Sequence, residues 1–109
     1  MLNKMKGYRV ERKVKLDFIK HGWKVVRAGG SLGEYDLIAF KAGRCIFMQI
    51  KSTRKGRFYY YGYMDSKYAG FPFKLVVDFG RGSVRILNPS HTVSPSDGED
   101  LQKYLETHS

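Results

Sequence analysis

The stretch Glu34-Tyr35-Asp36-Leu37-Ile38-Ala39-Phe40-Lys41-Ala42-Gly43-Arg44-Cys45-Ile46-Phe47-Met48-Gln49-Ile50-Lys51 decides the fold. Two apolar-rich runs, 36–40 and 45–51, are broken by Lys41-Ala42-Gly43-Arg44, where Gly43 can supply a positive φ. That pattern predicts a β-hairpin. Whether the loop has four residues or only Ala42-Gly43, Phe40 faces Cys45 and Asp36 falls opposite Gln49. Directly opposed residues have Cβ atoms about 4.5–5.5 Å apart, so these two can share one ligand. Alternation puts Cys45, Phe47, Gln49 and Lys51 on one face and Ile46, Met48 and Ile50 on the other. A carboxylate, an amide oxygen and an ammonium therefore gather on strands that otherwise read as buried. An unpaired charge in such a place is costly. Two arrangements compensate it. One is a divalent cation held by oxygen ligands, with the lysine left to stabilise a nucleophile or developing negative charge. The other is an Asp36–Lys51 ion pair at a sheet end, with Gln49 solvated. These residues alone leave both open.

The chain's 109 residues suffice for a single domain, 1–109, with one modest core. A hydrophobic content of 42% fits a folded protein rather than a disordered tail. Lys and Arg outnumber Asp and Glu by 20 to 10, a formal charge of +10. Cations that neutralise phosphates gain counterion release, so nucleic acid is the most economical partner. An acidic membrane surface fits less well, because no basic amphipathic helix with bulky apolar anchors is present and no apolar run could span a bilayer. The start, Met1 to Lys6, lacks the apolar core of a signal peptide, and the lone Cys45 excludes an intrachain disulfide framework and a cysteine-rich zinc site. An intracellular protein is expected.

Upstream of the hairpin, Gly7 to Gly22 reads as a basic amphipathic helix ended by Gly22. Glu11 precedes Val14 by three residues and Phe18 by seven, so it shares their inward face. It is either a functional carboxylate, a solvated acid at the stripe's edge, or a partner of Lys15. Trp23 to Ala28 reads as a strand, and the Gly/Ser-rich segment up to Tyr35 as a loop or simple connection. Downstream, Arg54, Lys55 and Arg57 run into Phe58-Tyr59-Tyr60-Tyr61-Gly62-Tyr63. Basic residues beside aromatics suit phosphate contact and base stacking. For most of these aromatics the favoured reading is that alternate ones fill the core while the rest line a subunit contact. DNA contact is assigned to the Arg54 to Arg57 end. Two more strands, 73–79 and 83–87, flank Gly80-Arg81-Gly82, and Ser96 or Asp97 is expected to cap a short final helix. His21, His91 and His108 show no metal-ligand spacing.

Taken in order, a basic helix with Glu11-Arg12, then Val26-Arg27, the Ser31 loop, Asp36-Leu-Ile-Ala and Gln49-Ile-Lys51-Ser52 resemble the archaeal-type Holliday junction resolvases of the PD-(D/E)xK nuclease superfamily. The resemblance is firm from Gly7 to Thr53. It implies a restriction-endonuclease-like α/β domain, with a central mixed sheet flanked by helices. It also implies a homodimer that binds four-way DNA junctions and nicks them using Mg2+, with Mn2+ as a substitute. By position, Glu11, Asp36, Gln49 and Lys51 match the catalytic set and Ser31 the loop serine. Asp36, Gln49, Glu11 and the Ile50 carbonyl match the metal ligands. Arg12 and Arg27 match basic residues near phosphate, to which Lys13, Arg54, Lys55 and Arg57 are added as DNA contacts. Two departures stand out. Gln49 replaces the usual glutamate, removing a charge from the metal site, although its amide oxygen can still ligate. The segment Met64 to Pro72 is too short for the helix the family inserts there. Alternatives to junction resolution are a nuclease for flaps, mismatches or duplex DNA, and a non-catalytic DNA-binding module.

Overall fold

The computed structural model describes the backbone of residues 2–28 and 33–108, and the side chains within those ranges from Tyr8 onward. In chain order the elements are α1 (Leu2–Lys20), β1 (Lys24–Arg27), β2 (Leu37–Lys41), β3 (Arg44–Ser52), β4 (Phe58–Tyr59), β5 (Lys67–Tyr68), β6 (Phe71–Asp78), β7 (Val84–Leu87), β8 (Thr92–Val93), β9 (Glu99–Asp100) and α2 (Leu101–Thr107). The expected hairpin is β2–β3. Ala42 and Gly43 take φ of 48° and 79°, so a two-residue turn with both central residues left-handed pairs Lys41 with Arg44 and Phe40 with Cys45. Its twist matches that of the flanking strands, which is why this turn closes hairpins.

The main sheet runs β1-β2-β3-β6-β7-β9, with β5 added to the far end of β6. It is mixed: β3 and β6 lie parallel at its centre, and every other pair is antiparallel. The parallel register sets Gln49 beside Leu75 and Lys51 beside Val77. Alternation then divides the strands between two cores. Leu37, Ala39, Ile46, Met48, Ile50, Val76, Val84 and Ile86 face Val10, Val14 and Phe18 of α1 and Leu101, Tyr104 and Leu105 of α2 in one buried cluster. Both helices therefore cover the same side. On the other side, Leu75 and Val77 pack against Tyr60 and Val93, contributed by the segments that form the small β4–β8 ribbon. Burying these side chains supplies roughly 1.5–3 kcal/mol each.

Several local expectations change. The first helix begins near Leu2 rather than Gly7, while Gly22, at φ 88°, ends it as predicted. Trp23 precedes β1 and sits buried, edge-on to Phe18 with ring centroids 5.5 Å apart. Asp36 lies just outside β2. The final helix is capped by Asp100, whose side chain accepts from the Lys103 N–H at 3.2 Å, and not by Ser96 or Asp97. Pairing of Glu99 and Asp100 with β7 keeps the chain extended up to that point, and Asp97 accepts from the Ser94 N–H at 2.8 Å instead. Residues 64–72 hold no helix; β5 and β6 form a second hairpin through Ala69 and Gly70, at φ 51° and 85°. Of the aromatic run, Tyr60 is buried, Tyr59 and Tyr61 are exposed, and Tyr63 packs on Tyr68 and Phe73. No helix among the described residues is long and apolar enough to cross a membrane.

Candidate active site

The β2–β3 ladder ends at Leu37 and Met48, and there the register predicted for Asp36 and Gln49 becomes a contact. The Asp36 N–H donates to the Met48 carbonyl at 2.7 Å, which fixes the backbone at the mouth of the hairpin. Its Oδ2 then accepts from the Ile50 N–H at 2.7 Å and from the Gln49 Nε2 at 3.2 Å. No described residue donates to Oδ1. Gln49 itself is only 7% exposed, and its Oε1 is buried without a hydrogen-bond partner. Turning the amide over would set oxygen against the Asp36 carboxylate, so the orientation with nitrogen toward Asp36 is the favourable one. An unmatched buried amide oxygen costs about 1–3 kcal/mol. The hairpin mouth thus holds a carboxylate with one oxygen that no described residue donates to, and beside it a glutamine whose amide oxygen is buried without a partner.

Glu11 reaches this end of the sheet from α1. Val10 and Val14 pin the helix to the core, leaving Glu11 at the margin with its side chain 22% exposed. It pairs not with Lys15 but with Arg27, whose Nε lies 3.3 Å from Oε1 and whose guanidinium sits 4.8 Å over the Tyr8 ring. Burial raises the Glu11 pKa, and the negative charge of Asp36 raises it further, with Arg27 and Lys51 opposing. Asp36 is also raised, first by burial, against the lowering effects of the Ile50 N–H, Lys51 and Arg27. Two carboxylates held above their ordinary range in one electrostatic neighbourhood are the environment a cation would relieve. Lys51 is half-buried on the Gln49 side of β3, and its charge lowers both acids.

These donors fit a hard divalent ion. Asp36, Gln49 and Glu11 all offer oxygen donors, and Ile50 turns its side chain into the helix-side core, so only its backbone could serve the site. Among the described residues no three His, Cys, Asp or Glu gather around a point. Two acids plus an amide suit Mg2+, Mn2+ or Ca2+ far better than a thiophilic or imidazole-seeking metal.

The remaining expected residues lie around this centre. Arg12 is exposed and shares a groove of about 340 Å³ with Glu11 and Arg27. Arg54, Lys55 and Arg57 are exposed on the connection after β3. Lys13 is tied to Asp78, Nζ to Oδ2 at 3.7 Å. Ser31 lies outside the described residues. Two residues near the site escaped the sequence reading. Tyr60 is buried beside it, donates its Oη to the Tyr63 carbonyl at 2.8 Å, and has its pKa pushed up to about 12 by burial and by the charge of Asp36. Its inward position was readable only from the alternation of residues 58–61. Asp78 is the second, a buried acid at the end of β6 that reads from sequence as an ordinary strand residue.

Comparison with known proteins bears on the fold and the family. No curated protein sequence matches the chain. Among solved structures, the 1.6 Å structure of Hjc, a Holliday junction resolvase from the archaeal hyperthermophile Archaeoglobus fulgidus, superposes with a TM-score of 0.71 at 15% identity, covering 93% of this chain and 96% of that one. The fold is therefore shared. The family model for archaeal Holliday junction resolvases (Hjc) matches residues 2–64, more than half of the chain and every element that builds the site. On that match, the chain belongs to the archaeal Holliday junction resolvase family.

Proposed function

We propose that this chain, like its family, is a metal-dependent nuclease acting on four-way DNA junctions, with Mg2+ as its cofactor, Mn2+ as a substitute, and Asp36, Gln49, Glu11 and Lys51 as its working residues. The observation that carries this reading is the Gln49 Oε1, buried without a partner on the residue whose amide nitrogen contacts Asp36. The glutamine is built in as a ligand even though it has replaced an acid. Asp36, Gln49, Glu11 and the Ile50 carbonyl would hold the ion. When bound, it supplies charge neutralisation at the scissile phosphate and acidifies a water molecule.

The protein's own groups do the rest. Two N–H donors fix Asp36 Oδ2, so the carboxylate cannot rotate away and Oδ1 stays presented. Lys51, on the same strand face as Gln49, donates from Nζ to the attacking water or to the phosphate oxygen that gains charge as the water–phosphorus bond forms and the ester P–O bond breaks. Arg27 holds Glu11 through Nε, and its charge opposes the rise that burial and Asp36 impose on the Glu11 pKa. Arg12, Arg54, Lys55 and Arg57 are exposed cations available to flanking phosphates.

A junction has two-fold symmetry and must be cut twice, which a symmetric pair of protomers does with one site each. We therefore assign a homodimer. On the sheet face bearing Ile38, Phe40, Cys45 and Phe47, Phe47 packs on Tyr35, Tyr68 and Phe71, while Phe40 and Phe71 stay 42% and 46% exposed. Its place is inside the cell, where DNA substrates occur.

Cleavage of matched-sequence junction, flap and linear duplex DNA, with and without Mg2+, tests the reading, with Lys51→Ala as the companion. Magnesium-dependent junction cleavage that Lys51→Ala removes is the expected result. Preferential cutting of flaps or duplex would reassign the substrate. Salt-sensitive binding with no cleavage in Mg2+ or Mn2+ would make the chain a binding module.

A further inference from the structure

A second cavity lies at the C-terminal end of β3, next to the candidate active site. It has a volume of about 690 Å³ and is lined in part by Val10, Ser52, Arg54, Lys55, Asp78 and Arg81. Val10 and Ser52 are the immediate neighbours of Glu11 and Lys51, so the cavity begins where the catalytic residues end. Among the described residues none of Arg54, Lys55 and Arg81 has a carboxylate partner. The sole acid in the lining is Asp78, and both of its oxygens are engaged. Oδ1 accepts from the Gly80 N–H at 2.7 Å, and Oδ2 faces Lys13 Nζ at 3.7 Å. Three unneutralised cations thus line a concave surface whose one negative group is already satisfied.

The β6–β7 turn points the same way. Gly80, Arg81 and Gly82 take φ of 87°, 53° and 80°, and the turn is closed by Phe79 N–H to the Ser83 carbonyl at 2.8 Å and Ser83 N–H to the Gly80 carbonyl at 3.0 Å. A left-handed position is strained for an arginine and natural for Gly or Asn. Nothing in the turn's own hydrogen bonding uses the Arg81 side chain. Strain kept at a position whose side chain lines a cavity is a mark of function.

We infer that this cavity is a second backbone-phosphate cradle, in which Arg81, with Arg54 and Lys55, grips the DNA strand beyond the scissile phosphate, while the Lys13–Asp78 pair braces the turn that presents Arg81. The inference rests on the nuclease reading and adds a residue, Arg81, that acts on binding rather than on chemistry. Its role is sequence-independent, because phosphate contacts position DNA without reading bases.

The test is fluorescence anisotropy of a labelled four-way junction against the full chain in Ca2+, across a salt series, together with single-turnover cleavage in Mg2+ at saturating protein. Arg81→Ala and Arg81→Gly are compared with wild type; the glycine variant suits the left-handed turn and so guards against misfolding. Lys103→Ala, an exposed cation on α2 outside the cavity, serves as control. Both Arg81 variants are expected to weaken binding several-fold and to lower the slope of log affinity against log salt by about one, the signature of one lost phosphate contact. Single-turnover cleavage should stay within about twofold of wild type, Arg81→Lys should keep most of the slope, and Lys103→Ala should match wild type. Wild-type affinity and slope in Arg81→Gly, with junction cleavage by the wild type intact, would overturn the cradle and leave the nuclease standing. Absence of any DNA binding or cleavage by the wild type would overturn both.

Discussion

Placing an acid at position 49 gives the sharpest test of the site. In the native chain Gln49 Nε2 donates to Asp36 Oδ2 at 3.2 Å, so Gln49→Glu exchanges a hydrogen bond for two carboxylates at nearly that separation in a buried place. At about 4 Å and an effective dielectric of about 20 their repulsion is about 4 kcal/mol. The protein can escape by protonating one acid, which near pH 7 costs an ordinary glutamate a little under 4 kcal/mol. Either route sets a penalty of roughly 2–4 kcal/mol on the metal-free protein, reduced toward the lower figure by Lys51. At about 4–8 °C per kcal/mol for a domain of this size, Tm in EDTA should fall by roughly 10–25 °C. The same energy returns when a divalent ion binds, because the added charge becomes a ligand charge. Cation affinity should therefore tighten by about 30-fold or more. Thermal melts in EDTA and with saturating Mn2+, together with calorimetric Mn2+ titration, read both quantities. An unchanged Tm in EDTA and an unchanged affinity for Mn2+ would show that the two side chains do not share a cation, and the metal-site reasoning would fail.

Three further outcomes follow from the same geometry. Burial holds Glu11 and Asp36 above their ordinary pKa, so the folded chain binds protons more tightly than the unfolded one. Metal-free stability should thus decline as pH rises through the raised values, and the Tm gain from a divalent ion should be larger near pH 7 than near pH 4; a pH-independent gain would contradict this. Asp36→Ala should cut junction cleavage by at least about 10²-fold while binding in Ca2+ stays within a few-fold, whereas parallel loss of both with the fold retained would count against Asp36 as the central ligand. Gly98→Ala should destabilise the chain by roughly 2–4 kcal/mol in urea denaturation, because φ is +65° and a Cβ would lie 2.5 Å from the Ile86 carbonyl and 2.6 Å from the Leu87 Cβ; a loss below about 1 kcal/mol would show that the β7–β9 contact relaxes.

By itself the sequence determined the hairpin, its register and the face each residue takes. A two-residue turn with Gly43 admits one pairing, and period-two alternation then carries Asp36 and Gln49 to the same spot and sends Ile46, Met48 and Ile50 to the other side. The helix stripe of Val14 and Phe18 was equally legible, since local periodicity encodes which surface is buried. What needed tertiary structure were the contacts between elements distant in the chain. Glu11 chose Arg27, sixteen residues away, over its helical neighbour Lys15, because packing of α1 on the sheet brought β1 within reach. The cap moved to Asp100 because strand pairing with β7 outlasts any local preference of Ser96 or Asp97. Likewise, Lys13 of α1 reaches Asp78 at the end of β6, and Arg81 of the following turn lines the same cavity as Asp78, only because the fold packs α1 against the sheet there. Spacing along a strand or helix is fixed by backbone geometry, whereas partners across the fold are set by which surfaces the core brings together.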